Sequence, residues 1–155
     1  MENQTDFTRS VTAVVFKEGK VLLGRHTYGN GKGLLIVPGG YIMQGEDPRT
    51  AVKREYLEET GVVIEPKEVI AIRFREKDWY VAFSADYLSG EARSDEDEND
   101  LVVWMDIEEA LSREDVPGLT KELIKVNRER AAGFVELDYD PLKEIGSLFA
   151  IPYEK

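Results

Sequence analysis

The chain has 155 residues, 42% apolar and 33% charged, the balance of one globular domain able to bury a sizeable core and not of a disordered chain. Its net charge of −11 argues against a grip on long nucleic acid by counterion release, yet leaves room for a small phosphorylated ligand where a metal ion and a few arginines invert the local field. It has no cysteine and a single histidine, His26, which excludes disulfides, thiolate zinc sites, cysteine nucleophiles and multi-histidine metal sites and leaves carboxylates to do the chemistry.

No run approaches the roughly 18–20 apolar residues of a membrane span, and the opening MENQTDFTRS has no apolar centre for a signal peptide. A cytoplasmic protein without a membrane partner is expected. Residues 10–16 are β-branched and apolar, 17–20 supply a turn and 21–23 resume the pattern, which predicts a hairpin. It delivers Arg25 and His26 to a glycine-rich loop, GNGKG at 29–33, able to approach phosphate or to serve as a plain connection. Residues 34–37 read as a short buried strand ending at Pro38, with Gly39 and Gly40 at its exit.

The stretch GGYIMQGEDPRTAVKREYLEETGV carries a helix. Asp47 is a good N-cap, Pro48 suits the first helical position and Gly61 is a natural stop, so the helix runs over Pro48–Thr60. At about 100° per residue, Glu55, Glu58 and Glu59 stand at i, i+3 and i+4 and share one face. Like charges at that spacing destabilise a helix by roughly 0.2–0.5 kcal/mol, and neither Lys53 nor Arg54 falls within the arc. A divalent cation reverses the sign of that cost, and carboxylate-only sites with open positions suit Mg²⁺ or Mn²⁺. The plain alternative is a solvated glutamate face.

Residues 68–76 and 78–88 alternate as two half-buried strands of a second hairpin, with Arg73 and Arg75 on the polar side. Trp79, Val81, Phe83, Ala85 and Tyr87 share one face, where packing is the expected use of the aromatics. An acidic loop follows over 89–100, then a strand over 101–105 that carries Trp104. Residues 106–111 form a short helix, Val116, Pro117 and Gly118 break it, and Thr120 caps a longer helix ending before Gly133. This order predicts an α+β fold with helices flanking a mixed sheet. The last stretch, 134–155, keeps Phe134, Leu137, Tyr139, Leu142, Ile145, Leu148, Phe149 and Ile151. Such a tail is expected to close over a pocket, to pack at a homodimer contact or to fold back on its own domain.

The spacing from Gly40 through Glu46 to Arg54, Glu55, Glu58, Glu59 and Gly61 resembles the Nudix box, G-x5-E-x7-R-E-U-x-E-E-x-G-U, where U is a bulky apolar residue. Val62 fits the second U position. Tyr56 stands at the first, where the family more often has an aliphatic residue, and reads as a packing variant. The resemblance implies a Nudix-type α/β/α sandwich, a mixed β-sheet between helices, in a single domain over 1–155 with its core at about 10–132 and the apolar segment 134–155 as a C-terminal extension.

The same resemblance implies water-driven cleavage of the phosphoanhydride in a nucleoside diphosphate linked to another moiety: a nucleoside triphosphate, a nucleotide sugar or a dinucleotide. The implied metal ligands are Glu55, Glu58, Glu59 and the backbone carbonyl of Gly39, with Glu98 from the acidic loop as a further one and Glu96 behind it. Glu55 or Glu58 is the candidate base, and Glu98 can also serve. Glu46 and Arg54 are expected to pair internally and orient the cluster, an exposed ion pair being the alternative. Candidate substrate contacts are Arg25, Arg73, Arg75 and Tyr41. Two other classes compete. A Nudix-fold module that binds nucleotide without hydrolysing it is disfavoured by the retained glutamates, and a Ca²⁺-binding acidic loop at 95–100 lacks the glycine that an EF-hand needs at its sixth position.

Overall fold

The computed structural model describes residues 6–139 and 146–154. In chain order the elements are β1 (Thr8–Lys17), β2 (Lys20–His26), β3 (Leu35–Ile36), β4 (Gly39–Tyr41), helix α1 (Pro48–Thr60), β5 (Val63–Phe74) and β6 (Asp78–Ser89). Then come β7 (Asn99–Asp106), the helices α2 (Ile107–Ser112) and α3 (Gly118–Glu129), and two short strands, β8 (Val135–Leu137) and β9 (Leu148–Ala150). Among the described residues no helix is long and apolar enough to cross a membrane.

The first hairpin turns on Glu18 and Gly19, both at positive φ (52° and 76°), the conformation that two-residue hairpin turns require. Its strands pair only beside that turn, Phe16 opposite Val21, and then diverge. β1 runs on antiparallel to β4 and parallel to β6, while β2 pairs antiparallel with β3 and β7. Hydrogen bonding that β1 and β2 do not give each other is thus supplied by other strands, and the sheet is split into two leaves. That split is what opens a cleft.

Both faces of the sheet are covered, as the mixed-sheet expectation requires. Val11, Ala13, Val15 and Phe83 face Ala51, Val52 and Tyr56 of α1. Val14, Val21, Leu23 and Ala82 face Ala110 of α2 and Leu123 and Ile124 of α3. The result is an α/β/α sandwich, each fully buried Val or Leu contributing roughly 1.5–3 kcal/mol. Tyr56 is fully buried and its hydroxyl donates to the Ala13 carbonyl on β1. That bond explains how a tyrosine occupies a position where an aliphatic residue is usual.

Four elements differ from the sequence reading. Gly39 and Gly40 lie within strand β4, its partner β1 being remote in sequence, whereas they were expected at a strand's exit. β5 begins at Val63, ahead of the expected 68, because register shifts carry it past Pro66. Thr120 is a buried residue inside α3 and caps nothing; the N-cap position is held by Pro117 without a side-chain bond. The C-terminal segment forms strands: Phe134 exchanges backbone hydrogen bonds with Val69 at the β5 edge (2.9 and 3.0 Å), β8 pairs β9, and Phe149 meets the Phe83 ring edge-on at 5.6 Å. Of the three expectations for that tail, its described part takes the third and folds back on its own sheet. Leu142 and Ile145 lie outside the described residues.

Candidate active site

Where β1 and β2 part, a cleft of about 720 Å³ opens, lined by β1, β3, β4, the end of β2 and the β5–β6 turn. At one end lie three carboxylates. Glu55 and Glu59 come from consecutive turns of α1 and Glu98 from the acidic loop before β7, and one oxygen of each lies within 4.8 Å of the other two. The glycines beside them are needed for close approach. A Cβ on Gly40 would sit 2.5–2.7 Å from the Glu55 carboxyl group, and one on Gly39 would sit 2.2 Å from the Val11 carbonyl.

Glu59 is only 6% exposed. Burial pushes its carboxyl up to about 10, and Glu98 and Glu55 beside it add to the shift. Glu55 is also raised by burial, against the opposing pull of Arg54. Three acids this close in a buried place hold together through a shared proton or a cation. The donor set consists of hard oxygens with the cleft on one side, which fits a divalent cation of the Mg²⁺ type. Glu58 stands apart. Its side chain is 60% exposed and accepts a 3.2 Å hydrogen bond from Arg54. Glu96 is exposed, with its backbone at φ 57°.

Arg54 is the organiser of this end. Its Nε and Nη2 form a fork on Glu46 at 2.7 and 2.9 Å, Nη1 reaches Glu55 at 2.9 Å and Glu58 at 3.2 Å, and Nη2 also reaches the Tyr41 carbonyl at 3.1 Å. The Met43 amide closes the set on Glu46 at 2.9 Å. The fork holds the Glu46 carboxyl below its usual range. One guanidinium therefore ties the loop after β4 to the glutamate face of α1, the internal pairing expected for these two residues.

Of the residues expected to meet substrate, Arg73, Arg75 and Tyr41 line the cleft. Arg25 does not, and pairs with Asp100 at 2.7 Å. Arg73 lies over the Tyr80 ring (4.8 Å) and keeps a buried Nε that has no partner among the described residues. Of the other lining groups, sequence reasoning had His26 at the start of the glycine-rich loop and marked neither Tyr28 nor Asp78 as a site residue. His26 and Tyr28 stack at 5.8 Å, and Asp78 accepts from the Thr8 and Ser10 hydroxyls at 2.7 and 2.6 Å. The signal for the second group was readable, since Thr8, Ser10 and Thr12 put hydroxyls at every other position of an apolar strand. Nothing in the local pattern marks Tyr28.

The architecture is thus a mixed sheet between helices, with three carboxylates gathered at one end of a cleft. The chain belongs to the Nudix family: the NUDIX domain model matches residues 6–125. Over 63 residues it is 33% identical to an ADP-ribose pyrophosphatase of Methanocaldococcus jannaschii, covering 41% of this chain and 37% of that one. Over 105 residues it is 34% identical to the NAD-capped RNA hydrolase NudC of Vibrio cholerae, covering 63% of this chain and 37% of that one. The matched stretch thus spans little more than a third of each curated relative. In fold it is similar to a NUDIX hydrolase from Nitrosomonas europaea, with a TM-score of 0.72 at 20% identity over 81% of this chain and 73% of that one.

Proposed function

We propose that the protein hydrolyses the phosphoanhydride of a nucleoside diphosphate linked to a second moiety. The observation that carries this reading is the contact of Glu55, Glu59 and Glu98 at the end of a cleft whose other walls offer Arg73, Arg75 and aromatic rings. The names of the two relatives point to ADP-ribose and to the NAD cap of an RNA, each holding a diphosphate between two nucleoside or sugar moieties.

Glu55, Glu59 and Glu98 would hold the metal, together with the backbone carbonyl of Gly39 that the family resemblance implies. Glu58 would join by leaving Arg54, an exposed pair worth at most about 1 kcal/mol and therefore weaker than a carboxylate's attraction to a dication. A divalent cation held there, Mg²⁺ or Mn²⁺, supplies positive charge to diphosphate oxygens that become more negative as the bond breaks. Water attacks one phosphorus, the bridging P–O bond breaks, and the bridging oxygen leaves with the other phosphate. Glu55 or Glu58 accepts the proton of the attacking water, with Glu98 as a further candidate. Arg54 and Glu46 keep Glu55 in place. Arg73 and Arg75 hold the anionic part of the substrate.

The test is a panel of nucleotide sugars, dinucleotides and nucleoside triphosphates assayed with Mg²⁺ and with Mn²⁺, the products separated by chromatography. Metal-dependent release of two phosphate-bearing products from at least one compound is expected, and Glu58→Gln is expected to abolish it with the fold intact. Turnover of none of them would favour a module that binds nucleotide without cleaving it, and unchanged turnover in Glu58→Gln would remove that residue from the metal set.

A further inference from the structure

We propose that Asn99 is the positioning residue that delivers Glu98 to the carboxylates of α1, an inference that rests on reading those carboxylates as the metal site. Glu98 sits on a loop, whereas Glu55 and Glu59 are fixed by a helix. Without a bound proton or cation, charge repulsion opposes bringing a third acid beside two buried ones, so hydrogen bonds elsewhere in the loop must help to hold it in place.

Asn99 is 3% exposed and hydrogen-bonded at both ends of its side-chain amide. Its Nδ2 donates to the Glu59 carbonyl at 2.9 Å, in the final turn of α1 where carbonyls lack helical partners. Its Oδ1 accepts from the Asp95 amide at 3.3 Å, its own amide donates to the Asp95 carboxylate at 3.1 Å, and its carbonyl accepts from the Ser94 hydroxyl at 2.8 Å. One residue further along α1, the Thr60 carbonyl accepts from the Arg93 amide at 2.9 Å. From the other side the Glu98 carbonyl accepts from the Thr27 amide at 3.1 Å. The loop is thus stitched to the end of α1, and the stitch nearest Glu98 is made by the residue next to it.

The geometry explains why an amide is there. One side chain must donate to a carbonyl and accept from an amide in a dry place, which asparagine does without charge. An aspartate would lose the donor and add another negative charge to the cluster. Because Asn99 grips the backbone of Glu59 itself, a single bond fixes the spacing between two of the three ligands. Nothing in this arrangement needs Asn99 to touch substrate.

The experiment measures Mn²⁺ affinity of the full chain by the paramagnetic resonance of free Mn²⁺, for the parent, Asn99→Ala, Asn99→Leu, Glu98→Gln and the double variant Asn99→Ala with Glu98→Gln. Asn99→Ala and Glu98→Gln are each expected to weaken Mn²⁺ by about 10–100-fold, the usual cost of losing a group that orients a ligand. The double variant is expected to bind no more weakly than Glu98→Gln alone, because Asn99 acts through Glu98. Asn99→Leu keeps the volume and guards against a cavity effect; it is expected to match Asn99→Ala. Parent-like affinity in both Asn99 variants, or losses that multiply in the double variant, would overturn the proposal. Parent-like affinity in Glu98→Gln would overturn it together with the metal role of Glu98, so the two failures are distinguishable.

Discussion

At the scale of single residues, Arg54 does more than any other side chain to set the site. Its side chain is 22% exposed and serves Glu46, Glu55, Glu58 and the Tyr41 carbonyl at once. A lysine keeps the charge and loses the fork, because an ammonium cannot give two parallel bonds to Glu46 while reaching Glu55. Arg54→Lys is therefore expected to lower turnover by about 10–100-fold and to destabilise the fold by only about 1–3 kcal/mol, the range for groups left short of a partner. Urea titration and steady-state assay of the same preparation check both numbers. An unfolded Arg54→Lys would mean that the fork holds up the fold itself, and unchanged turnover would mean that Glu55 needs no orienting. The contrast with Glu58 is one of exposure: the same arginine holds it by a weak, solvent-screened bond that a cation can displace.

At the scale of elements, the two glycines of β4 make neighbouring substitutions diverge. A Cβ on Gly40 meets the flexible end of Glu55, which can swing aside, whereas a Cβ on Gly39 meets the Val11 backbone at 2.2 Å. Gly40→Ala is expected to keep stability within about 1 kcal/mol while losing most Mn²⁺ affinity and turnover. Gly39→Ala is expected to cost about 1–3 kcal/mol or more by prising β4 from β1. Thermal melts beside Mn²⁺ titrations separate the two, and equal stability losses would show that β4 is held more loosely than its pairing suggests. The same strand shows how far sequence goes. The cap at Asp47, the stop at Gly61 and the helix between them were legible because each is a local signal, and the structure has Asp47 accepting from the Thr50 amide and Gly61 at φ 74°. That Gly39 and Gly40 belong to a strand was not legible, since the partner lies 27 residues back in the pairing of Thr12 with Gly39 and no local pattern encodes it. Glu98 could be singled out only through the family resemblance, and its link to Glu59 through Asn99 depends on a tertiary contact between the start of β7 and the end of α1. Tyr28 and His26 reach the cleft only because β2 leaves β1, a divergence that alternation of apolar residues does not reveal.

At the scale of the whole molecule, the carboxylate cluster couples folding to pH and, if it holds the metal proposed above, to metal. The Glu59 carboxyl goes from an ordinary 4.5 to about 10 on folding, chiefly through burial. Between those values the folded chain keeps a proton that the unfolded chain releases, so stability falls as pH rises. Its contribution is fully present below pH 4.5 and is lost progressively as pH climbs towards 10. One retained proton changes stability by at most about 1.4 kcal/mol per pH unit, and a chain of this length shifts its melting temperature by roughly 2–4 °C per kcal/mol. The metal-free protein is therefore expected to melt lower at pH 8.5 than at pH 6, and Glu59→Gln is expected to remove most of that slope. Because a cation bound there would displace the proton, affinity for Mg²⁺ is expected to rise with pH. Saturating Mg²⁺ is expected to raise the melting temperature more at pH 8.5 than at pH 6, a ligand at 100 times its dissociation constant adding about 2.7 kcal/mol. With a net charge of −11 the chain also gains from any added cation through general screening, so the comparison needs a control with matched ionic strength from a monovalent salt. A slope that persists in Glu59→Gln, or a Mg²⁺ effect equal at both pH values and matched by the monovalent salt, would place the proton and the metal somewhere other than this cluster.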